Sequence, residues 1–217
     1  MTDGTRPTLA IAVEPGTRAV VARRGRALQY LTIGWNSLEC VIALAAGWIA
    51  GSIALVGFGF DSAIEVASSL AALWRLAWDR DESRRERAER RTLRLIGIAF
   101  LLLAGYVAVD AAGALVARRA PDRSLPGIVL AVLSLIVMPL LAHFKRRVAT
   151  QLQSGALEAE TRQTQVCAFL SAILLLGLGL NAWLGWWWAD SIAALAMTPL
   201  IAREGWEALR GRTCCAQ

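Results

Sequence analysis

Charge is scarce in this 217-residue chain. Only 18% of its residues are charged and 56% are hydrophobic, whereas a soluble domain carries about a quarter charged residues. A mean hydropathy of +0.48 argues against a soluble globular protein. The single histidine, His143, leaves no basis for a multi-histidine metal centre. No nucleophile stands beside a base and no cofactor-binding loop is evident, so no enzyme activity is expected. Four cysteines do not make a disulfide framework: Cys40 and Cys167 lie in apolar segments and read as reduced packing thiols, and Cys214 and Cys215 sit side by side in the tail. The stretch Leu9 to Val13, followed by Glu14 and Pro15, is too short for a secretory leader, and none is expected. Lysine is reduced to Lys145 among 23 basic residues. The net charge of +6 sits in short blocks between apolar stretches, which points to loops at an anionic membrane surface rather than to nucleic acid.

What is present is a series of apolar runs, and about 20 residues suffice to cross a bilayer as a helix. Leu28 to Trp78 divides into two spans at Gly51-Ser52, Thr92 to Ala117 is the third, and Ser124 to Phe144 the fourth, with Pro139 predicting a kink near its end. Gln163 to Ala202 divides again near Gly185, so the expected fold is all-α and polytopic, with six transmembrane helices. Arg18 to Arg26, Arg80 to Arg91, Lys145 to Arg147 and Arg210 with Arg212 then fall on one face. By the positive-inside rule that face is cytoplasmic and holds both termini. The division is a cytoplasmic N-terminal tail over 1–26, a transmembrane domain over 27–210 and a short tail over 211–217. The mixed-charge loop Asp79 to Arg91 predicts solvated helical extensions, and Trp186-Trp187-Trp188 an interfacial aromatic anchor. Gly47 and Gly51 form a small-xxx-small pair suited to tight helix packing.

Acids at membrane depth mark ion or proton pathways. Glu39, Asp61, Glu65, Asp110 and Asp190 fall within or at the ends of the apolar spans, and Glu160 opens the fifth. Basic partners at the same depth are few, because Arg75, Arg94 and Arg203 can snorkel toward the cytoplasm, so the carboxylates call for a cation. Asp61 and Glu65, four apart, share one helix face. Asn36, Glu39 and Cys40 fall within one turn of the first span, and Glu160, Gln163 and Cys167 form a stripe on the fifth. The alternative is that these acids are protonated interhelical glue. His143, at the end of the fourth span, reads as a solvated interface residue.

These residues resemble the cation diffusion facilitator family of divalent-metal transporters. The stretch Asn36 to Leu76, with Gly51-Ser52-Ile53-Ala54-Leu55 leading to Asp61-Ser62-Ala63-Ile64-Glu65, looks like that family's first two helices, with Glu at the second position of its paired-acid motif. Ser154 to Glu160, Gln163, Cys167 and Trp188 to Leu195 look like its last two helices. The resemblance implies a homodimeric exporter of Zn(II) or a related ion from the cytoplasm in exchange for protons, in the bacterial inner membrane. It implies metal ligands at Asp61, Glu65, Gln163 and Cys167, where Gln163 stands for the family's His and Cys167 for its Asp. Asn36, Glu39, Glu160 and Asp190 would line the route or support the ligands. A short form without the C-terminal cytoplasmic domain is expected. Zn(II) is the expected cargo, with Mn(II), Fe(II), Co(II) and Cd(II) open given the mixed donor set; no resident cofactor is expected. A second class of function is a non-transporting, metal-responsive membrane partner with the same fold.

Overall fold

The computed structural model describes residues 15–77, 82–152 and 155–210. The side chains of 15–19, 22, 71–72, 74–77, 82–93, 152 and 155–160 lie outside the described residues. Six helices and no strand are found among the described residues: α1 (Pro15–Ala50), α2 (Ile53–Ala77), α3 (Glu82–Val116), α4 (Leu125–Leu152), α5 (Gly155–Leu184) and α6 (Ala189–Leu209). The described residues are therefore all-α, as the apolar runs imply. Among the described residues, five stretches are long and apolar enough to cross a membrane: Arg23–Ala50, Ile53–Leu70, Arg94–Val116, Leu125–Gln151 and Thr161–Leu184. The sixth expected span corresponds to α6, which at 21 residues carries Asp190, Arg203, Glu204, Glu207 and an internal Pro199 and does not reach that threshold.

Both expected breaks are present. Gly51 and Gly185 each adopt φ +66°, a conformation that costs glycine nothing and other residues dearly, so the chain reverses there without a long loop. Helix α3 begins at Glu82, so part of the mixed-charge loop is indeed helical; its side chains, and residues 78–81, lie outside the described residues. Helix α4 runs through Pro139.

Three turns meet at one end of the bundle. The Asp122 amide donates to the Ala50 carbonyl at 2.8 Å, tying the α3–α4 turn to the end of α1, and Asn181 Nδ2 donates to the Pro121 carbonyl at 3.1 Å. Asp190, in the first turn of α6, accepts from Ser52 Oγ, from the Ile53 amide at 2.9 Å and from the Ala54 amide at 3.4 Å. Ser52 in turn caps α2 by accepting from the Leu55 amide at 3.1 Å. The α1–α2, α3–α4 and α5–α6 turns thus share one end. Arg119, at this same end, pairs with Asp110 at 3.5 Å, which gives one intramembrane acid a partial surface partner. Trp186 and Trp188 stack at 4.9 Å and are both exposed, consistent with an interfacial anchor.

Helix α2 packs against α1, α3, α5 and α6, which makes it the axis of the molecule. The expected close approach at Gly47 is real: a Cβ there would stand 2.8 Å from Val56 Cγ2. Helices α3 and α6 cross closely where Gly97 and Gly205 face one another, a Cβ on Gly97 falling 2.7 Å from the Gly205 carbonyl. The outer surface is apolar, with Trp48 85% and Trp183 86% exposed. For a water-facing protein such side chains would be a liability, whereas against lipid tails they are the expected coat.

Candidate cation site between helices 1, 2 and 5

Helix α2 carries Asp61 and Glu65 one turn apart, and both carboxyls are buried. The i, i+4 spacing and the inward face of the central helix put them there together. Helix α1 presents Asn36 and Glu39, each 0% exposed, toward the same place. Glu39 is held at both oxygens: Trp35 Nε1 donates to Oε1 at 3.2 Å and Ser62 Oγ lies 3.1 Å from Oε2. The Ser62 hydroxyl also lies 3.1 Å from the Phe58 carbonyl, so one hydrogen serves two acceptors. Glu39, Asp61 and Glu65 are within electrostatic reach of one another. From α5, buried Cys167 approaches Glu65 and lies within reach of all three acids.

Gln163 is half-buried, and its Oε1 accepts from Ser68 Oγ at 3.2 Å across the α2–α5 contact. Its Nε2 is buried without a hydrogen bond. The structure therefore brings Asp61, Glu65, Cys167, Asn36 and Glu39 together and places Gln163 beside them. Asp190 does not join them. It caps α2 at the end where the three turns meet, and Asp61 lies eight residues further along α2 than Ile53, about 12 Å of helix rise. The side chain of Glu160 lies outside the described residues, as do those of Arg75, Cys214 and Cys215. Among the described residues, no group of three His, Cys, Asp or Glu side chains stands in a metal-holding arrangement. His143 is exposed and sits edge-on to Phe144, in keeping with an interface role. Arg203 is paired with Glu207 at 2.9 Å and is exposed.

One correction concerns Lys145. Its place beside Arg146 and Arg147 marks it as part of a cytoplasmic basic block, yet it is 1% exposed. Its Nζ donates to Thr164 Oγ1 at 3.2 Å, and Thr164 Oγ1 donates to Glu65 Oε1 at 3.1 Å. An ammonium at membrane depth thus faces the acid cluster through one bridging hydroxyl, and the carboxylates are not without a basic partner. The available signal was its uniqueness: every other base in the chain is arginine, and a lysine ammonium is the compact point charge that such a position accommodates. Glu204, late in α6, lies within electrostatic reach of Asp61 and Glu65 and alongside Arg162. Sequence reading missed it because no spacing rule links α6 to α2.

The Cation efflux transmembrane domain family matches residues 30–211. The chain belongs to this family of cation efflux proteins. It is 27% identical over 201 residues to an uncharacterised transporter of Synechocystis, covering 88% of this chain and 64% of that protein. It is 27% identical over 184 residues to the cation-efflux pump FieF of Citrobacter koseri, covering 80% of this chain and 61% of the pump. FieF of Salmonella typhi is 26% identical over 178 residues, covering 78% and 59%. The chain spans about 60% of the length of these relatives. With its apolar helices and bacterial relatives, it is an integral membrane protein of the bacterial plasma membrane. The family is one of transporters rather than enzymes.

Proposed function

We propose that this protein moves a divalent transition-metal ion out of the cytoplasm, Zn(II) first and Mn(II), Fe(II), Co(II) or Cd(II) as alternatives, in exchange for protons and as a homodimer. The observation that carries the proposal is the pair Asp61 and Glu65, buried one turn apart on the helix that touches four others. Carboxylates at membrane depth are costly, and a cation passing between them offsets that cost. Glu65 Oε2 is buried without a hydrogen-bond donor, which is how an acceptor is left when its natural partner is a transient ion.

Asp61, Glu65, Gln163 and Cys167 span α2 and α5, so a relative movement of these two helices opens the site first to one face and then to the other. Carboxylate and thiol must be deprotonated to bind the ion, so binding releases protons and release of the ion takes them back. That is a chemical route to exchange with no histidine involved. Glu160 acts outside the ligand set, as an access or supporting group, whereas Asp190 caps α2.

The second reading, a non-transporting metal-responsive partner, is favoured by the lack of a metal-holding group of three among the described residues. Metal uptake into proteoliposomes separates the two readings. Flux that Asp61→Ala abolishes supports transport, whereas folded wild-type protein that moves none of the five ions supports the partner reading.

A further inference from the structure

Among the described residues Lys145 is the only buried base, while its neighbours Arg146 and Arg147 both reach the surface. A lysine toward the end of a membrane helix ordinarily snorkels its ammonium into water, so this one is held inward. The turn that follows it on α4 is packed down: Val148 and Ala149 form a buried cluster with Val21 of α1, and a Cβ on Gly25 would stand 3.3 Å from Val148 Cγ1. With that turn fixed against α1, Lys145 Nζ reaches α5 and donates to Thr164 Oγ1 at 3.2 Å, and the same hydroxyl donates to Glu65 Oε1 at 3.1 Å. Thr164 lies between Gln163 and Cys167 in the sequence of α5, so the ammonium docks on the α5 edge of the cation site. There it opposes the cargo, because an ammonium and a divalent ion drawing on one carboxylate repel each other, and at a buried site that repulsion is little screened. In the ion-free protein the same charge is favourable. Glu39, Asp61 and Glu65 are within electrostatic reach of one another, and a cation beside them offsets their mutual repulsion.

We propose that Lys145 is a tethered stand-in for the transported ion: its ammonium supports Glu65 through Thr164 while the site is empty, and it opposes the ion held by Asp61, Glu65, Gln163 and Cys167, so that the ion leaves quickly. This rests on the transport reading and deepens it, adding to the same ligand set a positioning residue that decides how tightly the cargo is held. A protein that moves an ion must bind it well enough to load and loosely enough to let go, and a fixed like charge beside the site weakens the bound state without removing a ligand. No proton passes through Lys145; those exchanged for the ion come from the carboxyls and the thiol that bind it. Taking the charge away therefore leaves a site that fills at lower ion concentration and empties more slowly.

The test is initial-rate uptake of Zn(II), Mn(II), Fe(II), Co(II) and Cd(II), each in turn, into proteoliposomes holding the full chain as wild type, Lys145→Met or Lys145→Gln. Circular dichroism checks folding and gives the melting midpoint with and without the carried ion. Lys145→Met removes the charge, and Lys145→Gln removes the charge but keeps a donor for Thr164. For an ion that wild type carries, both variants are expected to lower KM at least about tenfold and to lower the maximal rate as well. Both melt below wild type without the ion and gain more from saturating ion than wild type does, since a ligand that binds only the folded state stabilises it more the tighter it binds. A lysine with a purely structural role gives a different pattern: its loss raises KM or leaves it unchanged, glutamine restores what methionine loses, and the ion does not recover the midpoint. Should one variant fail to fold, the other decides, and failure of both to fold even with the ion present overturns the proposal. A KM that is unchanged or raised in folded variants, or a lowered KM with an undiminished maximal rate, overturns the stand-in role and leaves transport standing. Folded wild type that carries none of the five ions overturns the transport reading and this proposal with it.

Discussion

Replacing Asp190 by alanine removes the acceptor that joins the start of α6 to the start of α2. Its carboxyl is buried and takes hydrogen bonds from Ser52 Oγ and from the Ile53 and Ala54 amides, at 2.9 and 3.4 Å for the amides. Hydrogen bonds to a charged acceptor contribute about 1.5–3 kcal/mol each, and the donors left behind carry their own desolvation cost. The 3.4 Å contact is weak, so two effective bonds give a loss of about 3–6 kcal/mol. That is a large share of the 5–15 kcal/mol that holds a typical protein folded. Thermal unfolding of the purified protein in detergent, followed by circular dichroism, should show a clear fall in midpoint for Asp190→Ala. Asp190→Asn, which keeps one oxygen acceptor but turns an amide donor toward the other donors, should fall by less. An unchanged midpoint in Asp190→Ala would refute the capping role. Because Asp61 lies about 12 Å further along α2, folded Asp190→Ala should bind metal with wild-type affinity; loss of binding there would instead place Asp190 on the ion's route.

Removing the Lys145 charge takes a like charge away from an incoming cation. Across about 6 Å at an effective dielectric near 20, an ammonium and a divalent ion repel by roughly 5–6 kcal/mol, so Lys145→Met should tighten divalent-ion binding at least about tenfold, measured by dialysis, and weaker binding would show that the ammonium organises the site instead. Gly205→Val forces a side chain against the Gly97 carbonyl, 2.9 Å from a Cβ, and overpacking of this kind costs about 1–3 kcal/mol; a lowered melting midpoint, without change in metal affinity of the folded protein, is the expected outcome. Ser62→Ala withdraws a donor from Glu39 Oε2 and should cost about 1 kcal/mol of stability, read as a lowered melting midpoint.

How much was legible in advance follows from what periodicity can report. Apolar length marked the membrane helices, the glycines at 51 and 185 marked the reversals, and the four-residue spacing of Asp61 and Glu65 put both acids on one face of α2, because each of these is a property of a single segment. The same rule placed Asn36 with Glu39 on α1 and Gln163 with Cys167 on α5. It says nothing about which face of one helix meets which face of another. The direction of Lys145 depends on the turn of α4 that lies against α5, where Thr164 waits for it. Asp190 stands in the first turn of α6, but only the gathering of three turns at one end brings it to the amides of α2. Glu39 reads as one more acid on a membrane helix until Ser62 and Glu65 are seen beside it. Local spacing is set by the chain's own geometry, whereas partnership between helices is set by packing, and packing at α2, which touches four neighbours, is decided only when all of them are in place.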